Sequence, residues 1–277
     1  MCRWNFGSTP RVLSLTSSRC FDQDPNHCKG AACLRVARLR TAGATAMERA
    51  GAPAEPAGLR GHRREPATAD RDMLCVVLHG HGMRALEMVE WLQQPLCAAL
   101  PSVEFLFLQA PVSWQTSSQQ FLPAWLEYLG EYDGANEDDV CSEALAETTA
   151  SLTEVIGSLG GGRGDSNPRV VLLGLSEGGC VALELAFRLP LAGVVTLVSH
   201  RLRQNSDAKL LCPWYALTAS RDDVYPPTWA NRQLIRGDAQ SWHIVDDDHY
   251  LGDTSEEVVA FVRRAIAELR LVAEASR

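Results

Sequence analysis

The sequence predicts an α/β fold, a mostly parallel sheet with helices on both faces, and three observations carry that prediction. Short runs rich in valine and leucine alternate along the chain with longer segments of helical periodicity. The clearest runs, MLCVVL (Met73 to Leu78) and RVVLL (Arg169 to Leu173), do not alternate apolar with polar residues, as expected of strands covered on both faces. The residues with chemical potential then fall just after such runs, at the strand ends where open parallel sheets hold their sites.

Ahead of the first strand stand 72 residues of different character. They hold 12 of the 26 Lys and Arg but only 7 of the 34 Asp and Glu, a net +5 that leaves −13 on the remainder of the 277-residue chain. They show no sustained period and no run able to build a core, so a disordered N-terminal extension is expected over 1–72, with the folded domain at 73–277. Residues 1–46 are rich in Arg, Ser, Ala and Thr and poor in acids, a composition like that of an organelle transit peptide; the alternatives are a disordered tail, or upstream sequence translated only on paper with Met47 as the true start. Cys2 is a weak candidate for lipidation. Residues 48–72, rich in Pro, Ala, Gly and charge, suit a linker.

From Met73 the elements follow in order. The MLCVVL strand ends in His79-Gly80-His81-Gly82, a tight turn that brings backbone N–H groups to the end of the sheet. Residues 84–94 suit an amphipathic helix with Leu86, Val89 and Leu92 on its face, which Pro95 kinks or stops. Val103 to Leu108 is the second strand, closed by Ala110-Pro111, and Gln115 to Gln120 is loop-like. Phe121 to Tyr128 (FLPAWLEY) is unusually aromatic for a connection; it suits either packing beneath a loop or an apolar wall for an acyl chain, with Phe121, Trp125 and Leu126 as the wall. Glu137 to Asp139 precede a long helix whose face is Leu145, Leu152, Val155, Ile156 and Leu159. Gly160 to Asn167 then turns the chain. This run follows a helix and lacks a G-K-S/T ending, so it is no phosphate loop.

Arg169 to Gly179 is the centre of the chain. An apolar strand runs into Gly174-Leu175-Ser176-Glu177-Gly178, a G-x-S-x-G pattern, and Cys180 to Phe187 continues as a helix. A serine on so sharp a strand-to-helix turn is held exposed above the sheet, and the helix N-terminus offers free N–H groups to an oxyanion. Ser176 is therefore the candidate nucleophile. Strands are expected at Leu191 to Val198, Pro213 to Ala219 and Ser241 to Val245. The second of these ends at Asp222 and Asp223, and the third leads to Asp246-Asp247-Asp248-His249. The final helix starts near Thr254, where Thr254 and Glu257 fit a capping box, and buries Val258, Phe261, Val262, Ile266 and Leu269. Ser176, then Asp222 or Asp223, then His249 is the chain order of a serine-histidine-acid triad on this kind of sheet. In it His249 moves the proton and the aspartate holds the imidazole. The backbone N–H groups of His81 and Glu177 are the candidate oxyanion donors. His243 alternates within a strand and is read as structural, and Asp246 to Asp248 as a solvated acidic turn. The acidic domain disfavours nucleic acid as a ligand.

Nine scattered cysteines, without metal spacing, favour free thiols in a reducing compartment. No apolar run nears the ~20 residues needed to cross a bilayer. His79 and His81 lack a third ligand nearby, so no metal is assigned, and triad chemistry requires no cofactor.

Four stretches between about Met73 and Leu271 resemble the acyl-protein thioesterase, lysophospholipase and carboxylesterase family of α/β-hydrolases. Leu78-His79-Gly80-His81-Gly82 resembles its L-H-G-x-G turn, and Ala110-Pro111 with Pro123 to Tyr128 its A-P…P-x-W-[FY]-D segment. Gly174 to Gly179 resembles G-F-S-Q-G-G, and Asp222 to Pro226 resembles D-P-[LV]-V-P, which favours Asp222 as the acid. The resemblance implies the α/β-hydrolase fold and a serine hydrolase acting on acyl thioesters or carboxylic esters, with S-acylated proteins or lysophospholipids as substrates. It also places the tryptophan segment beside the acyl site. A monomer or weak dimer is expected, cytoplasmic or, if residues 1–46 act as a transit peptide, in a plastid or mitochondrion. The departures are Glu177 for the family glutamine, Glu127 for the aspartate, Ala219-Ser220-Arg221 for a glycine-rich turn, and Asp247-Asp248 for Gly-Met. They leave open a short-chain carboxylesterase or a non-catalytic binding protein on the same scaffold.

Overall fold

The computed structural model describes residues 59–65, 72–130, 139–160, 169–202, 209–227 and 239–275. The expectations for residues 1–58 and for the 161–168 glycine run lie outside the described residues.

Seven strands form one sheet: β1 (Arg60–Arg64), β2 (Met73–Leu78), β3 (Val103–Gln109), β6 (Arg169–Leu175), β7 (Gly193–Leu197), β8 (Trp214–Ala219) and β9 (Ala239–Val245). Their order is β1-β3-β2-β6-β7-β8-β9, and every pairing is parallel except β1 with β3. From β2 the chain builds β3 on one side and, later, β6 on the other, so the topology reverses at the β2/β6 boundary. A ligand crevice in such sheets opens at that reversal, beyond the strands' C-terminal ends. All six residues of β2 are buried and all but Arg169 of β6, which explains their unbroken apolar character.

Two cores flank the sheet. On one face α3 (Ser142–Gly160) and α4 (Glu177–Ala186) bury Leu145, Leu152, Val155, Cys180, Val181 and Leu183. On the other lie α5 (Ser255–Ala275) and a helical stretch made of α1 (Ala85–Met88), a π-helical turn (Val89–Gln93) and α2 (Gln94–Ala99). This last element corrects two expectations. Its buried stripe is Ala85, Met88, Leu92 and Leu96, while Leu86 faces outward. The helix also continues past Pro95, which sits in the first turn of α2, where its missing N–H goes unneeded because the preceding turn has already widened.

The domain begins earlier than the composition suggested. Arg60–Arg64, within the expected linker, pairs antiparallel with β3 from Arg60↔Gln109 to Arg64↔Phe105. RGHRR has no strand periodicity; what orders it is the edge of β3, whose backbone groups take it as a partner, together with an ion pair from Arg63 to the buried Glu104. The Ala110-Pro111 junction opens a hairpin, β4 (Val112–Gln115) and β5 (Gln120–Pro123), and the loop expected at Gln115 to Gln120 forms its turn. Gln119 turns it with φ of 54°.

Between β9 and α5, a loop carries His249, and Asp247 organises it. Asp247 is buried. Its Oδ2 accepts from the backbone N–H groups of Asp253 (3.0 Å) and Thr254 (3.0 Å) and from the Thr254 hydroxyl (2.8 Å), and its Oδ1 from the N–H of Asp248 (2.8 Å). Thr254 and Glu257 thus serve tertiary partners in place of the expected capping box, Glu257 bonding His243 at 2.7 Å. The expected solvated acidic turn holds only in part, since Asp246 is exposed against Arg221 and Asp247 is not. Burial alone would raise the Asp247 pKa, but the four donors outweigh it and hold the carboxyl below its ordinary value.

Two expectations follow. A Cβ at Gly178 would run into the backbone carbonyls of Leu78 and His79, atoms that cannot swing aside. Gly178→Ala should therefore lose about 3 kcal/mol or more in urea unfolding, at or above the usual cost of overpacking. Folding lowers the Asp247 pKa, so its contribution is whole above the ordinary value of 3.8 and is lost as the pH falls through the folded value. Asp247→Asn should cost about 1–3 kcal/mol at pH 7, and the gap from wild type should close as urea titrations are taken below about pH 4.

Candidate functional site

Strand β6 delivers Ser176 at φ 51° and ψ −121°, a backbone conformation that a side chain adopts only under constraint. The constraint is visible. Helix α4 starts at the next residue, and Gly174 lies so close to Gly178 and Gly179 that a Cβ there would overlap their backbone. The Ser176 N–H donates to the Leu197 carbonyl (2.8 Å), and its carbonyl accepts from the Ser199 hydroxyl (2.8 Å) and from the N–H groups of Gly179 (2.9 Å) and Cys180 (3.2 Å). Ser199, at the end of β7, braces the turn and was not singled out by the sequence reading; a serine after an apolar strand carries no distinguishing signal.

The three residues expected to form a triad meet at this point. Ser176 Oγ lies 2.8 Å from His249 Nε2. His249 Nδ1 lies 2.9 Å from Asp222 Oδ2 and 3.0 Å from Oδ1. Asp222 is buried, and Oδ1 also accepts the N–H groups of Val224 (2.9 Å) and Tyr225 (2.7 Å), whereas Asp223 is exposed. With Nδ1 donating to the carboxylate, Nε2 is left to accept the serine proton. The ring of Tyr225 stands edge-on to His249 with centroids 5.1 Å apart, and its hydroxyl meets that of Tyr128 at 3.1 Å. Tyr225 is another residue that sequence reasoning passed over, since nothing in the chain order links it to either ring. His200 packs edge-on against Tyr225 at 4.4 Å, which places the loop histidine behind the triad and not within it.

The His79 to Gly82 turn lies against the serine: a Cβ built on Gly80 would stand 3.4 Å from the Ser176 Cβ. His79 fixes the turn from below. Its Nε2 accepts the Ala110 N–H (3.0 Å), which puts the ring proton on Nδ1 for donation to the Gly80 carbonyl (2.8 Å). Burial lowers its pKa, outweighing that bond and the nearby Glu177 charge, so the ring is neutral at pH 7. Both of its nitrogens are thereby engaged by protein groups. The turn and the first residue of α4 thus approach Ser176 from two sides. Glu177, as the first helical residue, has no intrahelical acceptor for its N–H. An oxygen bound to a tetrahedral carbon on Ser176 Oγ would meet donors of this kind.

The aromatic segment divides. Trp125 and Leu126 are about 1% exposed and belong to the core. The Trp125 indole donates to the His79 carbonyl at 2.9 Å and packs on the His79 ring, so it supports the turn from within. Phe121, 63% exposed on β5, meets Trp114 edge-on and is the member of the three that faces outward. The side chain of Glu177 turns toward this segment, accepting the N–H groups of Trp125 and Leu126.

Three of the described thiols are unsuited as nucleophiles. Burial pushes the thiols of Cys75 and Cys97 up and that of Cys212 up to about 12, so none is a thiolate at neutral pH. His243 stacks on Phe261 and pairs with Glu257 away from the triad. Among the described residues no group of three or more His, Cys, Asp and Glu could hold a metal ion, and no helix is long and apolar enough to cross a membrane.

Comparison with known proteins places the chain in a family. Residues 65–210 match the model of the phospholipase/carboxylesterase family. No curated protein matches the chain. Among solved structures, the esterase PE8 is 21% identical with a TM-score of 0.59, covering 74% of this chain and 98% of its own. The Zea mays acyl-protein thioesterase 2 is 17% identical with a TM-score of 0.60, covering 76% and 99%. The Bacillus cereus carboxylesterase is 18% identical with a TM-score of 0.59, covering 76% and 95%. At these identities the structural likenesses speak for the α/β-hydrolase fold. With more than half of its length matched by the family model, the chain belongs to the phospholipase/carboxylesterase family and is an ester-hydrolysing α/β-hydrolase.

Proposed function

We propose that the protein is a serine hydrolase that cleaves acyl thioesters or carboxylic esters through an acyl-Ser176 intermediate, with S-acylated proteins or lysophospholipids as its substrate class. The observation that carries this reading is the unbroken line from Ser176 Oγ through His249 to Asp222 at the strained turn. His249 Nε2 takes the Ser176 proton as Oγ bonds to the carbonyl carbon, and the carbonyl electrons move onto oxygen. The backbone N–H groups of His81 and Glu177 hold that oxyanion. On collapse the bond to the leaving alcohol or thiol breaks, and His249 returns its proton to that group. Water then attacks the acyl carbon as His249 takes its proton; the bond from that carbon to Oγ breaks, His249 returns the proton to Oγ, and the acid leaves. Asp222 keeps the proton on Nδ1 and stabilises the imidazolium throughout.

The burial of Trp125 and Leu126 favours a second reading, a carboxylesterase for short acyl groups, because it leaves Phe121 as the exposed part of the expected wall. The described cysteines are free thiols, in keeping with a reducing compartment such as the cytoplasm.

A fluorophosphonate probe should label wild type at Ser176 and leave Ser176→Ala unlabelled, with kcat lowered by about 10⁴-fold or more. Labelling elsewhere, or none, would reject the mechanism. Asp222→Asn should retain the fold and lose kcat by about 10³–10⁴-fold through the wrong tautomer of His249. Turnover of p-nitrophenyl esters and acyl thioesters from C2 to C16 separates the substrate readings. A rise in kcat/KM toward C16 supports the long-chain class, and a fall beyond C4 to C6 supports the short-chain esterase.

A further inference from the structure

We infer that the side chains of Glu177 and His81 form a clamp that sets the position of the two oxyanion donors, making Glu177 a positioning residue. The inference rests on the acyl-serine reading above and concerns side chains which that mechanism does not use.

Glu177 is wholly buried. Its Oε2 accepts the Trp125 N–H at 3.1 Å, its Oε1 accepts the Leu126 N–H at 2.9 Å, and the same Oε1 faces His81 Nδ1 at 3.4 Å. A buried carboxylate is costly unless donors surround it, and here they come from two separate segments. One is the turn that carries His81, whose ring also stands edge-on to Tyr128 with centroids 5.5 Å apart. The other is the aromatic segment, which is tied to the same turn by the Gly82 N–H on the Pro123 carbonyl (2.9 Å) and by the Trp125 indole on the His79 carbonyl. The two residues that would offer backbone N–H groups to the oxyanion, 96 positions apart in sequence, are thus linked through their side chains.

This arrangement needs an acid. The Trp125 and Leu126 N–H groups are both donors, and a carboxylate answers them with two acceptor oxygens. A glutamine at 177, the residue of the family that the sequence resembles, would present an NH₂ group to at least one of them. An oxyanion hole depends on where its donors stand before reaction, and displacements of about 1 Å can cost about 100-fold in rate. Loosening the clamp should therefore weaken binding of the tetrahedral state and leave binding of the ground state unchanged.

The test compares wild type, Glu177→Gln, His81→Ala and the double variant on p-nitrophenyl butyrate. Inhibition by an alkyl trifluoromethyl ketone is read alongside, because its serine adduct carries an oxyanion. Glu177→Gln should lower kcat about tenfold or more, hold KM within about twofold, and raise the ketone Ki by a factor close to the loss in kcat/KM. The double variant should lose no more than the worse single one, since both break the same contact. The proposal is overturned if Glu177→Gln keeps wild-type kcat and Ki, or if the two single losses multiply. Should Glu177→Gln not fold, His81→Ala carries the test, because that ring is partly exposed; unchanged kcat and Ki would then overturn the proposal. Fluorophosphonate labelling of wild type separates the two failures. Absent labelling rejects the acyl-serine reading and the clamp together, while labelling at Ser176 with unchanged Ki in the variants rejects the clamp alone.

Discussion

The crowding of helix α4 onto the ends of β6 and β2 is the constraint on which the rest of this molecule depends. Gly174, Gly178 and Gly179 let backbone touch backbone there, and the chain can make the turn only by forcing Ser176 to positive φ. That strain is held by packing on every side: β7 takes the Ser176 N–H, Ser199 its carbonyl, and the first turn of α4 the same carbonyl again. Strain of this kind persists only where the surroundings over-determine it. Its result is a hydroxyl lifted clear of the sheet at the boundary where the strand order reverses.

Each remaining part of the site is delivered to that hydroxyl by a different strand end, and each is secured by a carboxylate used as a knot of acceptors. Asp222 gathers two backbone N–H groups of its own loop as well as the His249 ring. Asp247 gathers four donors and shapes the loop that carries His249. Glu177 gathers the turn and the aromatic segment. A carboxylate accepts several hydrogen bonds without offering a competing donor, and charge-assisted bonds are roughly twice as strong as neutral ones. In a site assembled from loops, three such knots replace the rigidity that regular secondary structure would otherwise supply.

The acidic balance of the domain gains a structural meaning from these knots. Several of the acids are internal and matched, Glu104 to the edge-strand Arg63 and Glu177 to its donors, so they do not all contribute to a negative surface. Desolvation likewise holds the thiols of Cys75 and Cys212 in their neutral form.

By itself the sequence determined the layered α/β architecture, the central strands and the long helices, and it marked Ser176, His249 and either Asp222 or Asp223 as candidates. It could do so because these are local signals: an unbroken apolar run marks a doubly covered strand, and G-x-S-x-G between strand and helix records a packing requirement within six residues. Tertiary structure alone decided the rest. Arg60–Arg64 became a strand because the β3 edge needed a partner, although its own composition reads as linker. Leu86 turned outward because Ala85, Met88, Leu92 and Leu96 took the buried stripe, and the helix ran past Pro95 through a π-helical turn. Trp125 and Leu126 went into the core beneath the turn, and Asp247 turned inward to Thr254. Ser199, Tyr225 and the partnership of Glu177 with His81 join positions tens of residues apart. No spacing rule connects such positions, because their contact is set by how the sheet twists and where each strand ends.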